Sequence, residues 1–233
     1  YRAILSDMKL HRERKENIPI AVLQRLANCS LSPVPLFEDV ELTDSMIADS
    51  GRLTAFFRIL DDIAARREKV VVFVQHFDVQ DVVARAIRAR YGLDHMPGKI
   101  NGTMPPAARQ RVVTEFQDGR PGFDAVVLTG RAAGTGLTLT AANHVVHLER
   151  WWNPAVEDQC SDRVYRIGQT KDVMVHVPLA VFREEVDPAD SPFDVTLHQF
   201  LERKRSRSQS VLAPSSGKGD QEFIESFFGK KAD

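Results

Sequence analysis

A chain of 233 residues and 26.2 kDa is long enough for one large domain with appendages, and at that size about 70–75% of the unfolded surface is buried without staples. Hydrophobic residues make up 43% and charged residues 27%, which excludes a wholly disordered chain. Lys plus Arg number 31 against 32 Asp plus Glu, a formal net charge of −1, so any nucleic-acid site must be a local patch of cations. Cys29 and Cys160 lie far apart without ligand spacing, which argues against a disulfide framework or a zinc site. No apolar run approaches the roughly 18–20 residues of a membrane span, and the N-terminus lacks a signal-peptide pattern. The expectation is a soluble intracellular domain with no membrane partner.

Residues 1 to about 30 read as helical and amphipathic, with Ile4, Leu5, Met8, Val22, Leu23 and Leu26 at helical spacings. LSPVPLFEDVELTDS, with two prolines, reads as a connector. A second helix is entered near Asp49 or Ser50, with Leu53, Phe56, Phe57, Leu60 and Ile63 on one apolar face. The texture then changes. VVVFVQ (70–75) is a β-branched run of buried-strand type, followed by a helix through Val82, Val83 and Ile87. KIN (99–101) is a short strand, and Gly102-Thr103 turns into a helix with Pro105 and Pro106 in its first turn, where a missing N–H costs little. AVVLT (125–129), HVVHLE (144–149) and DVMVHV (172–177) are further strands. Helices or loops separate them all, which predicts an α/β fold with a mostly parallel sheet covered on both faces. After Phe182 an acidic loop leads to a last helix around 193–205. SRSQSVLAPSSGKGD reads as a linker, and the terminal QEFIESFFGKK as either a short docking helix through Phe223, Ile224, Phe227 and Phe228 or an unstructured end.

The most conspicuous motif is AVVLTGRAAGTGL, a strand running into a glycine-rich turn. Gly130, Gly134 and Gly136 follow the TGxxxGxG spacing that resembles the cofactor loop of short-chain dehydrogenases, and Glu149 ends the next strand where a ribose-binding acid would sit. Two features oppose that alternative. Only Leu137 to Asn143 separate Gly136 from the next strand, too few for a crossover helix, and Tyr165 and Lys171 are six positions apart, so the family's helical Tyr-x-x-x-Lys pair is absent. A tight strand-to-loop turn accounts for the glycines as well.

WWNPAVEDQCSDRVYRIGQTK discriminates better. On a helix over 154–168, Val156, Cys160, Val164 and Ile167 fall in one arc of about 80°, a core stripe. Gln159, Arg163 and Arg166 fall in a neighbouring arc of about 60°. Asn153 is a plausible N-cap, Pro154 suits the first turn, and Gly168 is a stop. Two guanidinium groups and an amide would thus project together beside a sheet edge, an arrangement suited to phosphate binding. Surface pairing of the arginines with Glu157, Asp158 or Asp162 is the plainer reading for an arbitrary helix.

GRAAGTGLTLTAANHVVHLERWWNPAVEDQCSDRVYRIGQTKDV resembles motifs V and VI of the Swi/Snf-type ATP-dependent DNA translocases, a branch of the superfamily-two helicases. VVVFVQHFDVQDVV resembles motif IV, KINGTMPPAARQRVVTEF the following Gly-Ser/Thr motif, and LQRLANCSLSP the segment preceding the second lobe, in consistent order over roughly residues 20–180. The resemblance implies a RecA-like second lobe over 46–182, after an N-terminal helical segment (1–45) from the preceding lobe and before a C-terminal helix and tail (183–233). It implies Arg163 and Arg166 as arginine fingers reaching ATP on the missing first lobe, with Gln159 at the same interface, and Gly134 and Gly136 shaping a loop between nucleotide and DNA. Gln75, Gly102, Thr103 and Arg131 would lie along the DNA backbone. Trp152 and Asn153 match the Trp-Asn-Pro turn, with core packing the reading for Trp152.

Ala133, Thr138, Val74, Asn101 and Glu149 depart from the family pattern, which puts DNA contacts at 74 and 101 in doubt. No GxxxxGK[S/T] loop occurs, since GLDHMPGKI has five intervening residues, and no strand ends in a DExH-type acid. The expectation is therefore one lobe of a longer ATP- and Mg²⁺-using enzyme, inactive alone, with no metal site of its own. Its partners would be the N-terminal lobe, double-stranded DNA and, through the C-terminal tail, a protein. It would be cytoplasmic, nucleoid-associated in a prokaryote and nuclear in a eukaryote. The alternative in a third class is a non-catalytic nucleic-acid or protein-binding module, for which ERKRSRS (202–208) is the basic segment.

Overall fold

Valine-rich runs that bury both faces at once favour strands in the middle of a covered sheet, and the computed structural model builds its centre from them. The structure describes Ile4 and residues 20–37, 39–130, 136–181 and 192–210. Its strands are β1 (Lys69–Val74), β2 (Gly98–Ile100), β3 (Asp124–Thr129), β4 (His144–His147) and β5 (Met174–His176). Among the described residues they form one sheet in the order β2-β3-β1-β4-β5. Every neighbouring pair is parallel, with Val71 opposite Val126 on one side and Val145 on the other. This is the parallel α/β sheet expected from the alternation of strands with helices, in the RecA-like form that the resemblance implies.

The pleat divides the core. Val70, Val72, Val74, Ala125, Val127, Val146 and Leu148 face a layer made by α2 (Asp44–Ala48), α3 (Gly51–Ala65) and α4 (Phe77–Tyr91), where Leu53, Phe56, Leu60, Ile63, Val83 and Ile87 are buried. Val71, Phe73, Val126, Leu128 and Val145 face α5 (Pro106–Asp118) and α6 (Pro154–Ser161), against Val113, Phe116, Cys160 and Val164. Val74, buried in this core, is not presented to a ligand. Helix α3 starts where the sequence predicts, with the Ser50 hydroxyl accepting the Leu53 amide at 3.0 Å. Helix α4 carries Gln80 on its apolar face, and the buried amide donates to Ile100 O at 3.0 Å and Val127 O at 2.7 Å. It ties the helix to the C-terminal ends of β2 and β3.

A third apolar cluster joins α1 (Ile20–Leu31) to α7 (Phe193–Ser210) through Leu23, Leu26, Phe193, Leu197, Phe200 and Leu201, with Ile4 beside them. A buried ion pair pins it: Arg52 of α3 donates Nε to Asp194 Oδ2 at 2.9 Å and Nη2 to Oδ1. Asp194 also accepts from the Ser30 hydroxyl and, at 2.7 Å, from the Ala180 amide.

Three expectations need correction. The connector after α1 runs into a short helix at its end, α2, which begins at Asp44 and is capped by Thr43. SRSQS, read as linker, is the last part of α7. The arginine helix ends at Ser161, and 162–168 form successive turns. Ile167, assigned to the core stripe, is 99% exposed, although Val164 is buried as expected. Most of residues 1–19, and all of 182–191 and 211–233, lie outside the described residues, including the acidic loop and the QEFIESFFGKK segment. No helix among the described residues is long and apolar enough to cross a membrane.

Candidate functional site

Parallel strands all point one way, so the residues after them share one edge of the sheet, where open α/β folds hold their ligands. Across that edge lie Gly102 and Thr103 after β2, Gly130 after β3, Gln75 and His76 after β1, and Glu149 and Arg150 after β4. Three of the sequence-chosen candidates, Gln75, Gly102 and Thr103, thus come to one rim. Arg131 and Gly134 fall outside the described residues.

The rim is internally wired. Glu149 accepts the amides of Gln75 at 2.7 Å and His76 at 3.3 Å, and its other oxygen pairs with His76 Nδ1 at 2.8 Å. Hydrogen bonding to Glu149 raises the His76 pKa against the opposing effect of burial. The Gln75 side-chain amide donates to Arg150 O. Thr103 lies in a turn where Asn101 Oδ1 accepts both its amide at 3.2 Å and its hydroxyl at 2.9 Å. The amide and hydroxyl of Thr103 are therefore engaged by Asn101, and a phosphate that took them would have to displace its side chain.

Gly130 must be glycine for a packing reason. A Cβ there would lie 2.4 Å from the Trp151 ring, which in turn meets Phe73 and His147 edge-on. Gly136, with φ of +74°, adopts the left-handed backbone that glycine tolerates best. No helix occurs within Leu137–Asn143, and the Glu149 carboxylate is spent on the β1 loop. The dinucleotide alternative is thus without its crossover helix and its ribose acid.

The arginine segment closes onto the far side of this loop. Asn153 caps α6 by accepting the Ala155 amide at 3.1 Å, as expected, and Trp152 packs edge-on against Phe193 at 6.0 Å. After Ser161 the chain leaves the helix so that Arg163 O accepts the Leu139 amide at 2.8 Å. Arg166 Nη1 reaches Gly136 O and Leu137 O, each at 3.1 Å, and Thr138 Oγ1 at 3.2 Å. Gln169 anchors the end of the turn, its amide donating to Ala142 O at 2.6 Å and Thr140 O at 3.2 Å. Arg163 Nε is buried and has no hydrogen-bond partner among the described residues. Gln159 stays on α6, exposed, rather than in the same turn.

Sequence reasoning missed the support beneath α6. Glu157, 1% exposed at its side chain, accepts Arg150 Nε at 2.8 Å and Nη2 at 2.6 Å, Arg205 Nη2 at 2.8 Å and the Trp151 amide at 3.2 Å. Burial would raise its carboxyl, but hydrogen bonds and charge from Arg150, with His147 and Arg205 adding, hold it below the usual range. His147, on β4, meets Ser161 Oγ at 3.0 Å, and burial pushes its pKa down to about 4. Burial lifts the neighbouring Cys160 thiol to about 12, which makes it inert packing. A signal for such groups exists in the sequence: Gln80 interrupts the apolar spacing Val83, Ala84 and Ile87, a polar residue where the core stripe passes. Among the described residues no group of three His, Cys, Asp or Glu side chains is placed to hold a metal ion.

Residues 52–168 match the family model described as helicase conserved C-terminal domain. Zorya protein ZorD of Escherichia coli O139:H28 is 34% identical over 199 residues, covering 83% of this chain and 17% of that protein. The putative ATP-dependent helicase/translocase YwqA of Bacillus subtilis is 33% identical over 176 residues, 75% of this chain and 18% of that one. The chain thus spans less than a fifth of the length of these relatives. The Sulfolobus solfataricus SWI2/SNF2 ATPase core in complex with dsDNA superposes with a TM-score of 0.72 at 25% identity, covering 98% of this chain and 46% of that one. Strands β1 to β4, the glycine motif after β3 and the turn carrying Arg163 and Arg166 all fall within the matched span, and the chain belongs to the helicase conserved C-terminal domain family as a second RecA-like lobe of the Swi/Snf type.

Proposed function

We propose that this lobe works in an ATP-dependent double-stranded DNA translocase, presenting Arg163 and Arg166 to ATP bound on a preceding lobe while its sheet rim holds the DNA backbone. The observation that carries the reading is the docking of the arginine turn onto residues 136–139, through Arg163 O at 2.8 Å and the Arg166 guanidinium. It puts phosphate-binding cations and the glycine loop in one body. Arg163 suits an anion, because its buried Nε has no hydrogen-bond partner among the described residues. An arginine placed this way neutralises charge that builds on a transferring phosphoryl group. Mg²⁺ belongs with the preceding lobe in this reading, since no acidic cluster among the described residues is arranged for it. Gln75, Gly102, Thr103 and Arg131 would follow the DNA strand, giving binding that is largely independent of sequence and weakened by salt. Residues 46–182 form the motor lobe here, bracketed by 1–45 and 183–233, and the packing of α1 on α7 supports that division.

In the full-length protein, Arg163→Ala is expected to lower DNA-stimulated ATP turnover by at least about 100-fold with nucleotide affinity changed less than about threefold. Turnover unchanged in that variant refutes the assignment.

A further inference from the structure

The two arginines stand in different situations. Arg163 has a buried Nε without a partner, whereas Arg166 is exposed and its Nη1 is shared among Gly136 O, Leu137 O and Thr138 Oγ1 at 3.1–3.2 Å. All three acceptors are neutral and lie directly after the glycine loop. A guanidinium meeting an anionic phosphate gains charge-assisted, bidentate bonds roughly twice as strong as those to neutral acceptors. Arg166 would therefore trade the loop for a phosphate whenever one came within reach.

The rest of the turn is fixed without Arg166. Leu139 N donates to Arg163 O, and Gln169 holds Thr140 O and Ala142 O, so the segment stays docked when the Arg166 side chain leaves. Gly136, at φ +74°, is where the backbone turns to present its carbonyl. The arrangement is a fixed platform with one movable strut.

We propose that Arg166 is a two-position latch: without nucleotide it stiffens residues 136–138, and engagement of a phosphate takes it off them. Nucleotide occupancy and a stiff 136–138 segment then exclude one another, which couples ATP on one side of that segment to DNA on the other. The proposal rests on the motor reading above. It makes Arg166 a positioning residue for the loop in one state and a phosphate ligand in the other. It also explains why Thr138 matters, since its hydroxyl is the only side-chain group among the three acceptors.

The test is ATP turnover of the full-length protein, with and without saturating duplex DNA, in wild type, Thr138→Val, Thr138→Ser and Arg163→Ala. Loss of one acceptor for a charged donor should free Arg166, raising DNA-free turnover of Thr138→Val about fivefold at unchanged KM. DNA-saturated turnover should stay within about twofold, so the stimulation ratio falls about fivefold. Thr138→Ser keeps the hydroxyl and should keep the wild-type ratio. A Thr138→Val ratio equal to wild type, both rates falling together, or the same shift in Thr138→Ser overturns the latch. If Arg163→Ala stays inactive in those cases, the motor reading stands without the latch. If Arg163→Ala retains full turnover, the motor reading itself fails.

Discussion

Replacing Glu157 by Gln removes one negative charge from a place that water barely reaches. The carboxylate is 1% exposed and faces Arg150, 3% exposed, and Arg205, 23% exposed. A neutral amide keeps the shape, but its NH2 end then confronts guanidinium donors where an oxygen had accepted them at 2.6 and 2.8 Å. Arg205 has other partners in Asp158 and Glu202 and can partly rehydrate. Arg150 keeps the remaining side-chain oxygen as an acceptor for its Nε and the His198 ring at 2.7 Å from its Nη1, but it loses the opposing charge and stays in the low-dielectric interior. Removing one partner of a buried pair costs about 3–5 kcal/mol, because the other charge is left uncompensated. With a urea dependence of about 2–3 kcal/mol per molar, the unfolding midpoint should drop by on the order of 1.5 M. The paired change Glu157→Leu with Arg150→Met should recover most of that loss, since the two desolvation penalties vanish together. Equilibrium urea unfolding of the wild type, the Gln variant and the double variant measures this. A Glu157→Gln cost below about 1 kcal/mol, or a double variant no better than the single one, would show that the carboxylate is not the node on which α6 rests.

Gly130→Ala should destabilise the lobe by about 1–3 kcal/mol and shift tryptophan emission, because the new methyl lies 2.4 Å from the Trp151 ring; equal stability and spectra would mean that the ring moves freely. The imidazole of His147, at about 4, has a folded-state pKa below the unfolded value, so between pH 6.5 and 4 only the unfolded chain takes up its proton. Stability should accordingly fall by roughly 3 kcal/mol as pH drops through that window, and His147→Gln should remove this part of the slope in urea titrations at pH 7 and 4.5. His76 works with the opposite sign, since its pKa is raised: its contribution is present below the unfolded value and is lost as pH rises through the folded one. The difference between wild type and the His147 variant isolates the buried ring, and equal slopes in the two proteins would contradict its assignment.

The strands were readable because Val70–Val74 and Ala125–Leu128 have residue types that only a doubly covered sheet accommodates. Helix starts were readable where local chemistry decides them, as at Ser50 and Asn153. The end of α6 was not, because the periodicity of Val156, Cys160, Val164 and Ile167 continues past Ser161. A bond from a residue 24 positions earlier, Leu139 N to Arg163 O, pulls the chain out of the helix. The turn sets the Arg163 carbonyl and the Arg166 guanidinium on residues 136–139, a placement that the helical spacing does not give. Glu149, Glu157 and Arg52 gave no local sign of their roles. A charged residue reads as solvent-facing until its partner, supplied by distant chain, is known.

The clasp between Arg52 and Asp194 sets an order of events for a chain made from its N-terminus. The sheet is complete once β5 has emerged at His176, yet the counter-ion of Arg52 is not made until residue 194 arrives. Leu23 and Leu26 likewise wait for Phe193, Leu197 and Leu201 to cover them. A nascent lobe stopped at residue 181 would have strands β1 to β5 and still lack both the carboxylate that pairs with Arg52 and the residues that cover the apolar strip of α1. Its completion is a late event, made by a helix that lies outside the 52–168 span shared with the family.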